Sequence, residues 1–328
     1  MKYFFVLGNT PALAREEVKA VLSCQELLYE PPVLILDTES EIPFERFGGV
    51  VKIGEVIESD ITSYLKSSGL KSIDFGISNY GIDSGLRRND KQIKRDLVEA
   101  GIKTRFVLPK KGEEVLSSVV VRKQLLTEFL LFNKIIAKTI WSQDFEDWGV
   151  RDFGRPAVDP HIGMLPPKVA RMMINIAVRG QRSGVSIFDP FCGTGTILME
   201  ALSLALKAFG SDINPAQIAK TQKNLEWLGK TCELKVADAR EVVVPLVDAI
   251  VTEPFLGPAD PKALEQLYYD CLKHWLTILK PGGRVVIAFP FVLDMSKVMG
   301  YSLDAGPYIY SRPNAIIKRF IHILNFDL

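Results

Sequence analysis

At 328 residues, with 47% hydrophobic, 24% charged and 9% aromatic side chains, the chain has the composition of a globular protein large enough for more than one domain. Disordered, collagenous and disulfide-scaffold classes are excluded. The formal net charge of +1 hides an asymmetry, 5 Lys/Arg against 11 Asp/Glu over residues 1–60 but 13 against 7 over residues 61–123, so a local basic surface is available on a nearly neutral molecule.

Cys24, Cys192, Cys232 and Cys271 stand far apart, as do His161, His274 and His322. No zinc-ligand spacing results, so no metal is expected, and scattered cysteines suit the reducing cytoplasm. The opening apolar run is too short for a signal peptide, and no stretch approaches the roughly 18 apolar residues of a membrane helix.

Residues 2–7 predict a buried strand. Pro11–Leu22 predicts a helix with Thr10 as its cap and Pro11 at its first position. Leu27–Tyr29 and Val33–Leu36, broken by Pro31-Pro32, form a hairpin pattern. A helix over Ile61–Leu70 and a strand over Ser72–Asn79 follow. Asn89–Ala100 predicts a helix with Ile93 and Leu97 four apart, stopped by Gly101. Thr104–Leu108 and Ser118–Val121 read as strands, and residues 143–167 as an irregular linker or wrapping segment.

Beyond Lys168 the pattern alternates strictly: helix 168–179, strand Val185–Asp189, helix 195–207, strand Ala208–Asp212, helix Pro215–Leu228, strands Cys232–Val236 and Val247–Thr252, helix Pro261–Leu279 and strand Gly283–Phe289. Such alternation predicts a parallel, doubly wound α/β sheet. Tyr308–Tyr310 and Ala315–Asn325 should close it as an antiparallel hairpin.

The most informative stretch is Asp189-Pro190-Phe191-Cys192-Gly193-Thr194-Gly195-Thr196, which follows a predicted strand and opens a predicted helix. Open α/β sheets bind ligands at such turns. A tight turn alone would also use Gly193 and Gly195. Asp212, ending the next strand 19 residues after Gly193, adds a carboxylate for ribose hydroxyls. The third glycine of the dinucleotide fingerprint is missing, which favours S-adenosylmethionine (SAM) over NAD. Asp189 suits the amino-acid end of SAM, and Asp238, after the third strand, suits the adenine amino group.

The motifs Asp-Pro-Phe-Cys-Gly-Thr-Gly-Thr, Ser211-Asp212-Ile213-Asn214 and Ala237-Asp238-Ala239 resemble the SAM-binding series of class I methyltransferases. Within that class the chain is most similar to THUMP-bearing RNA methyltransferases that modify guanine N2 in tRNA. Arg151-Asp152-Phe153-Gly154-Arg155-Pro156, Gly163-Met164-Leu165-Pro166-Pro167-Lys168 and Tyr310-Ser311-Arg312-Pro313 carry this narrower likeness. The resemblance implies SAM as cofactor, bound by Asp189, Phe191, Cys192, Gly193, Thr194, Gly195, Thr196, Asp212, Ile213, Asn214, Asp238 and Ala239.

In such enzymes the loop after the fourth strand usually reads Asp/Asn-Pro-Pro-Tyr/Phe. An exocyclic amine is a poor nucleophile because its lone pair is delocalised, and acceptors for its hydrogens can localise that pair. Here the loop reads Thr252-Glu253-Pro254-Phe255. Glu253, or the carbonyl beside it, becomes the candidate acceptor, and Phe255 the platform for a flipped base. Arg87, Arg88, Lys91, Lys94, Arg95 and Arg105 form a basic cluster suited to phosphates of an RNA, with tRNA implied by the resemblance.

The expected organisation is therefore a ferredoxin-like α+β subdomain (1–60), a THUMP-like RNA-binding domain (61–145), a linker (146–165) and a Rossmann-like SAM-dependent methyltransferase domain (166–328). The expected activity is methylation of an exocyclic base amine in structured RNA. Transfer to rRNA or DNA, and an RNA-binding protein with a catalytically silent fold, remain as alternatives.

Overall fold

The computed structural model describes residues 1–81, 90–159, 164–181, 183–254, 260–311 and 318–327, with Asp90 and Lys91 described by backbone alone. The chain divides into two units: Met1–Pro11, Leu22–Glu45 and Val50–Phe145 in the first, and Ala12–Val21, Arg46–Gly49 and Glu146–Leu328 in the second. Among the described residues, no helix is long and apolar enough to cross a membrane.

The first unit is built on one mixed sheet. Its strands are β1 (Lys2–Leu7), β2 (Gln25–Glu30), β3 (Val33–Asp37), β4 (Val50–Ile57), β5 (Ser72–Asn79), β6 (Lys103–Val107), β7 (Thr127–Phe132) and β8 (Ile135–Ser142). They lie side by side in the order β2-β3-β1-β4-β8-β7-β5-β6. The helix between β1 and β2, α1 (Pro11–Val21), belongs from Ala12 onward to the second unit. Helices α2 (Ile61–Ser67) and α3 (Asp90–Glu99) seat Ile61, Leu65 and Leu97 in a core with Ile73, Phe75, Phe129 and Leu131. Asp60 caps α2 by accepting from the Ser63 amide at 2.9 Å.

Two expectations need correction here. The boundary expected at residue 60 does not divide the sheet, because β4 pairs antiparallel with β8, Lys52 opposite Ser142 and Ile57 opposite Ile136. Charge balance reports on solvated side chains, whereas backbone pairing decides which strands fold together. The strand expected at Ser118–Val121 is instead helix α4 (Ser118–Lys123). Ser117 caps it, and Val121 packs with Leu116 and Leu126, so local capping and burial override the β-propensity of three consecutive valines.

A polar knot lies inside this sheet. The Lys52 ammonium donates to Glu128 Oε1 at 2.5 Å and to the Leu116 carbonyl at 2.7 Å. Ser78 and Thr139 donate to the same carboxylate, and the Leu116 amide returns to Ser78 Oγ at 2.8 Å. Both charges are buried, and each is met by several partners, as a buried pair requires.

The second unit alternates helix and strand: α5 (Phe145–Phe153), α6 (Pro167–Ala177), β9 (Ser186–Asp189), α7 (Thr196–Ser203), β10 (Lys207–Asp212), α8 (Pro215–Trp227), β11 (Glu233–Val236), β12 (Val247–Thr252), α9 (Pro261–Trp275), β13 (Leu279–Phe289), β14 (Tyr301–Tyr310) and β15 (Arg319–Phe326). The sheet order is β11-β10-β9-β12-β13-β15-β14. Strands β9 to β13 run parallel, and β15 is antiparallel to both β13 and β14. Phe188, Ile250, Val285, Ile287 and Leu324 join Tyr268, Leu272 and Trp275 of α9 in its core. The order reverses between β9 and β12, so a crevice opens at the carboxyl ends of those two strands.

Glu17 of α1 is buried in this unit. It accepts from the Gly48 and Gly49 amides, each at 2.8 Å, and from Asn175 Nδ2 of α6 at 2.7 Å. Burial nonetheless pushes its carboxyl up to about 7.

The segment expected as a linker over 146–165 is largely folded. Trp148 of α5 is buried, and Arg151 and Arg171 both pair with the buried Glu200 of α7. Beyond α5, Arg155 donates to Thr196 Oγ1 at 2.6 Å, Ala157 exchanges two bonds with Asn224, and Asp159 pairs with Lys220 at 2.5 Å. The irregular composition marks a strap held by side chains rather than a free connection.

Candidate functional site

The turn after β9 is shaped from both sides. Gly193 and Gly195 take positive φ, 52° and 84°, where a Cβ is disfavoured. Helix α8 presents Thr221 and Asn224 three residues apart on one face. Thr221 Oγ1 donates to the Gly193 carbonyl at 2.7 Å, and Asn224 Nδ2 to the Thr194 carbonyl at 2.8 Å. A Cβ at Gly195 would come within 2.9 Å of Thr221 Cγ2, so the loop and α8 fit only with glycine there. Cys192 is buried, its thiol pushed up by burial and 3.8 Å from Thr221 Oγ1. Thr194 and Thr196 are also buried, Thr196 beneath Arg155.

Three carboxylates mark three consecutive strand ends. Asp189, at the end of β9, is 1% exposed, and burial pushes its carboxyl up to about 7. It accepts from the Phe191 amide at 3.2 Å and from Thr252 Oγ1 at 2.6 Å. Asp212, ending β10, accepts from the Gly193 amide at 3.0 Å and the Asn214 amide at 2.9 Å. Its carboxyl is also raised, chiefly by burial. Asp238, after β11, is held by the guanidinium of Arg240, at 2.6 Å for the closest pair, which lowers its carboxyl. Ala239 is buried, its carbonyl accepting from Trp275 Nε1 at 3.0 Å.

Apolar surface accompanies the acids. Ile213 is 66% exposed beside Asp212, and half-buried Phe191 meets Trp275 edge-on with centroids 6.4 Å apart. Asn214 caps α8 through the Ala216 amide. Carboxylates at successive strand ends with an exposed isoleucine suit a cofactor that carries cationic amino and sulfonium groups, ribose hydroxyls and a flat base. A pyrophosphate would meet repulsion from the same acids. The residues present therefore fit SAM.

On the neighbouring strand end, Thr252 is fully buried and spends its hydroxyl hydrogen on Asp189. Glu253 is half-buried and ion-paired with Arg319 of β15. Pro254 is buried. The expectation that Glu253 simply faces an incoming base thus omitted a partner already on its carboxylate. Phe255 lies outside the described residues, as do Arg87, Arg88, the side chain of Lys91, and Gly163, Arg312 and Pro313 of the resemblance motifs.

In the first unit, Lys94 and Arg95 are exposed on α3. Arg105, also exposed, pairs with Asp74 at 2.9 Å and donates to Gln124 at 3.3 Å. A cavity of about 350 Å³ in the same unit is lined by Lys110 and Lys111 together with Ile77, Phe106 and Leu131. Sequence reasoning passed over Thr221, Asn224 and Arg319, and quoted Arg155 only within a motif without giving it a role at the turn. The three-residue spacing of Thr221 and Asn224 on a predicted helix was the available signal; nothing local marked Arg319.

A family model described as RMKL-like, methyltransferase domain, matches residues 155–305. The chain is 33% identical to the tRNA (guanine(10)-N2)-dimethyltransferase of Pyrococcus abyssi over 99% of each chain. The chain belongs to the tRNA guanine-N2 methyltransferase family. A second member, the tRNA (guanine(10)-N2)-dimethyltransferase of Methanothermobacter thermautotrophicus, is 34% identical over 53% of this chain, a stretch spanning about half of that relative, 52%. The crystal structure of TrmN from Thermus thermophilus shares the fold, with a TM-score of 0.54 at 17% identity, covering 99% of this chain and all of that one. The pairing of β12 with β9 puts the Asp189 turn and the Thr252 loop at adjacent strand ends.

Proposed function

We propose that the protein methylates the exocyclic N2 of a guanine in tRNA, with SAM as methyl donor. One observation carries the reading: the Thr252–Asp189 hydrogen bond ties the loop after β12 to the SAM-type turn after β9, within a chain related over nearly its whole length to a tRNA guanine-N2 methylase. When bound, SAM supplies an electrophilic methyl whose carbon–sulfur bond breaks with its electron pair going to sulfur.

The chain's own residues do the rest. Asp189 holds the amino-acid end, Asp212 the ribose hydroxyls and Asp238 the adenine amine, with Phe191, Ile213, Asn214 and Ala239 around them and Cys192, Gly193, Thr194, Gly195 and Thr196 shaping the turn. Glu253, or the carbonyl beside it, accepts a hydrogen from N2 and so localises the nitrogen lone pair. The surplus N2 proton leaves by the same acceptor to solvent. Phe255, which follows the buried Pro254, is the platform proposed for the flipped base. Orientation supplies most of the acceleration, because the methyl donor is already reactive.

The first unit serves as a THUMP-like RNA-binding module, its α3 stripe of Lys91, Lys94 and Arg95, with Arg87, Arg88 and Arg105, contacting phosphates. A cytoplasmic site of action fits a tRNA substrate. The test is transfer from methyl-labelled SAM to unmodified tRNA, followed by nucleoside mass spectrometry. N2-methylated guanosine is expected; label in adenosine, in rRNA or DNA only, or nowhere overturns the proposal.

A further inference from the structure

Arg319 opens β15, next to the register pair Phe289–Phe320 that joins β15 to β13. Its side chain is 2% exposed, and its Nε donates to Oε1 of Glu253, whose side chain is 12% exposed. The guanidinium also lies 5.8 Å from the centre of the Tyr310 ring on β14. The ion pair thus reaches from the exit of β12, past the end of β13, to the start of β15. Removing two charges from water is costly, and an apolar side chain would close a strand end at least as well. The pair sits instead beside the loop that is to receive the base.

The charged and titratable groups gathered at Glu253 include Asp189 of β9, whose carboxyl feels the Glu253 charge, Arg319 of β15 and Tyr310 of β14 beyond it. Two carboxylates close together disfavour each other's ionised form, and the guanidinium offsets that repulsion. The state matters chemically. The target amine is a hydrogen donor, and a protonated carboxyl would turn a second donor toward it. Guanidinium geometry also fixes the plane of a carboxylate in a way that an ammonium does not.

Resting on the reading that Glu253 takes the amine hydrogen, we infer that Arg319 is a positioning residue for methyl transfer, orienting the Glu253 carboxylate and holding it in its acceptor form. A carboxylate has room for about four hydrogen bonds, so engagement by Arg319 is compatible with accepting from the base.

The test is single-turnover transfer to tRNA, with SAM and tRNA both saturating, across about pH 6 to 9 for wild type, Arg319→Met, Arg319→Lys and Glu253→Gln. Saturating SAM matters because Asp189 itself takes up a proton near neutral pH. Arg319→Met should bind SAM and tRNA within about twofold of wild type, transfer about tenfold more slowly near pH 6.5, and lose less of the rate as the pH is raised. Arg319→Lys, which keeps the charge, should stay within about threefold of wild type throughout. A loss in Arg319→Met that is equal at every pH, or no loss, overturns the inference and leaves a strand-end brace.

Should Arg319→Met fail to fold, the neutral pair Glu253→Gln with Arg319→Met replaces it. Residues acting through one another are non-additive, so this double variant should be no slower than Glu253→Gln alone. Additive losses overturn the inference. Wild-type protein that methylates no tRNA overturns the proposed function and this inference with it, whereas active wild type with a pH-independent Arg319→Met defect overturns the inference alone.

Discussion

The hydroxyl of Thr252, buried at the end of β12, donates a 2.6 Å hydrogen bond to Asp189 Oδ1 at the end of β9. Thr252 therefore contributes to the site as a donor that steadies the Asp189 carboxylate. Thr252→Val keeps the shape and removes the donor, and should weaken SAM binding by about 1–3 kcal/mol. Thr252→Ser should bind nearly as wild type. Titration calorimetry with SAM decides, and equal affinity in Thr252→Val would detach Thr252 from the cofactor site.

Asp189 also sets a pH dependence. Its carboxyl is raised from 3.8 to about 7 in the cofactor-free protein. Below that pH a proton must leave before the carboxylate can meet a cationic ligand. SAM affinity should rise with pH up to about 7 and then level off, with proton release visible as a buffer-dependent binding enthalpy. The folded protein binds more protons than the unfolded chain between about 4 and 7, so cofactor-free stability should fall as pH rises through that window, with Glu17 adding in the same direction. Thermal unfolding with and without SAM checks both signs.

Lys94 and Arg95 are exposed on α3, whereas Arg105 of the same unit is paired with Asp74. Replacing both by alanine should weaken tRNA binding and lower the slope of log affinity against log salt by about 1.5 to 2. SAM affinity should not change. A wild-type slope in the variant would reduce the stripe to a solvated face.

Removing Glu128 from the first unit leaves the Lys52 ammonium buried without its counter-charge. Glu128→Ala should cost about 3–5 kcal/mol in denaturant unfolding, whereas Lys52→Met with Glu128→Leu should recover most of that loss. Equal stability of Glu128→Ala and wild type would contradict the buried-pair description.

Where one residue's surroundings are its own neighbours in the chain, the sequence was readable. The alternation from Lys168 to Phe289, the Gly193–Gly195 turn and Asp212 were all legible because helix period, strand run and turn glycine are local signals. Strands β4, β7 and β8 went unread: β4 pairs with β8 across about 80 residues, as in Val56 opposite Ala137, while β7 and β8 form a tight hairpin whose turn signal, Asn133-Lys134, was passed over. Val119–Val121 looked like strand until Ser117 and Leu126 supplied a cap and a core. Arg319 was silent for a different reason: its meaning comes from Glu253, 66 residues earlier, and only the fold brings the two together.

Strand β15 lies between β13 and β14 although it follows both in the chain. During synthesis β14 leaves the ribosome before the strand that is to hold it, and among the described residues β15 is its only ladder partner. Until residues 319–326 emerge, Val285, Val286 and Ile287 of β13 present an open, apolar edge, the kind of template that recruits other chains. Arg319 arrives with that same strand. A product terminated before Arg319 would therefore carry the whole SAM-type turn while lacking the Arg319–Glu253 ion pair.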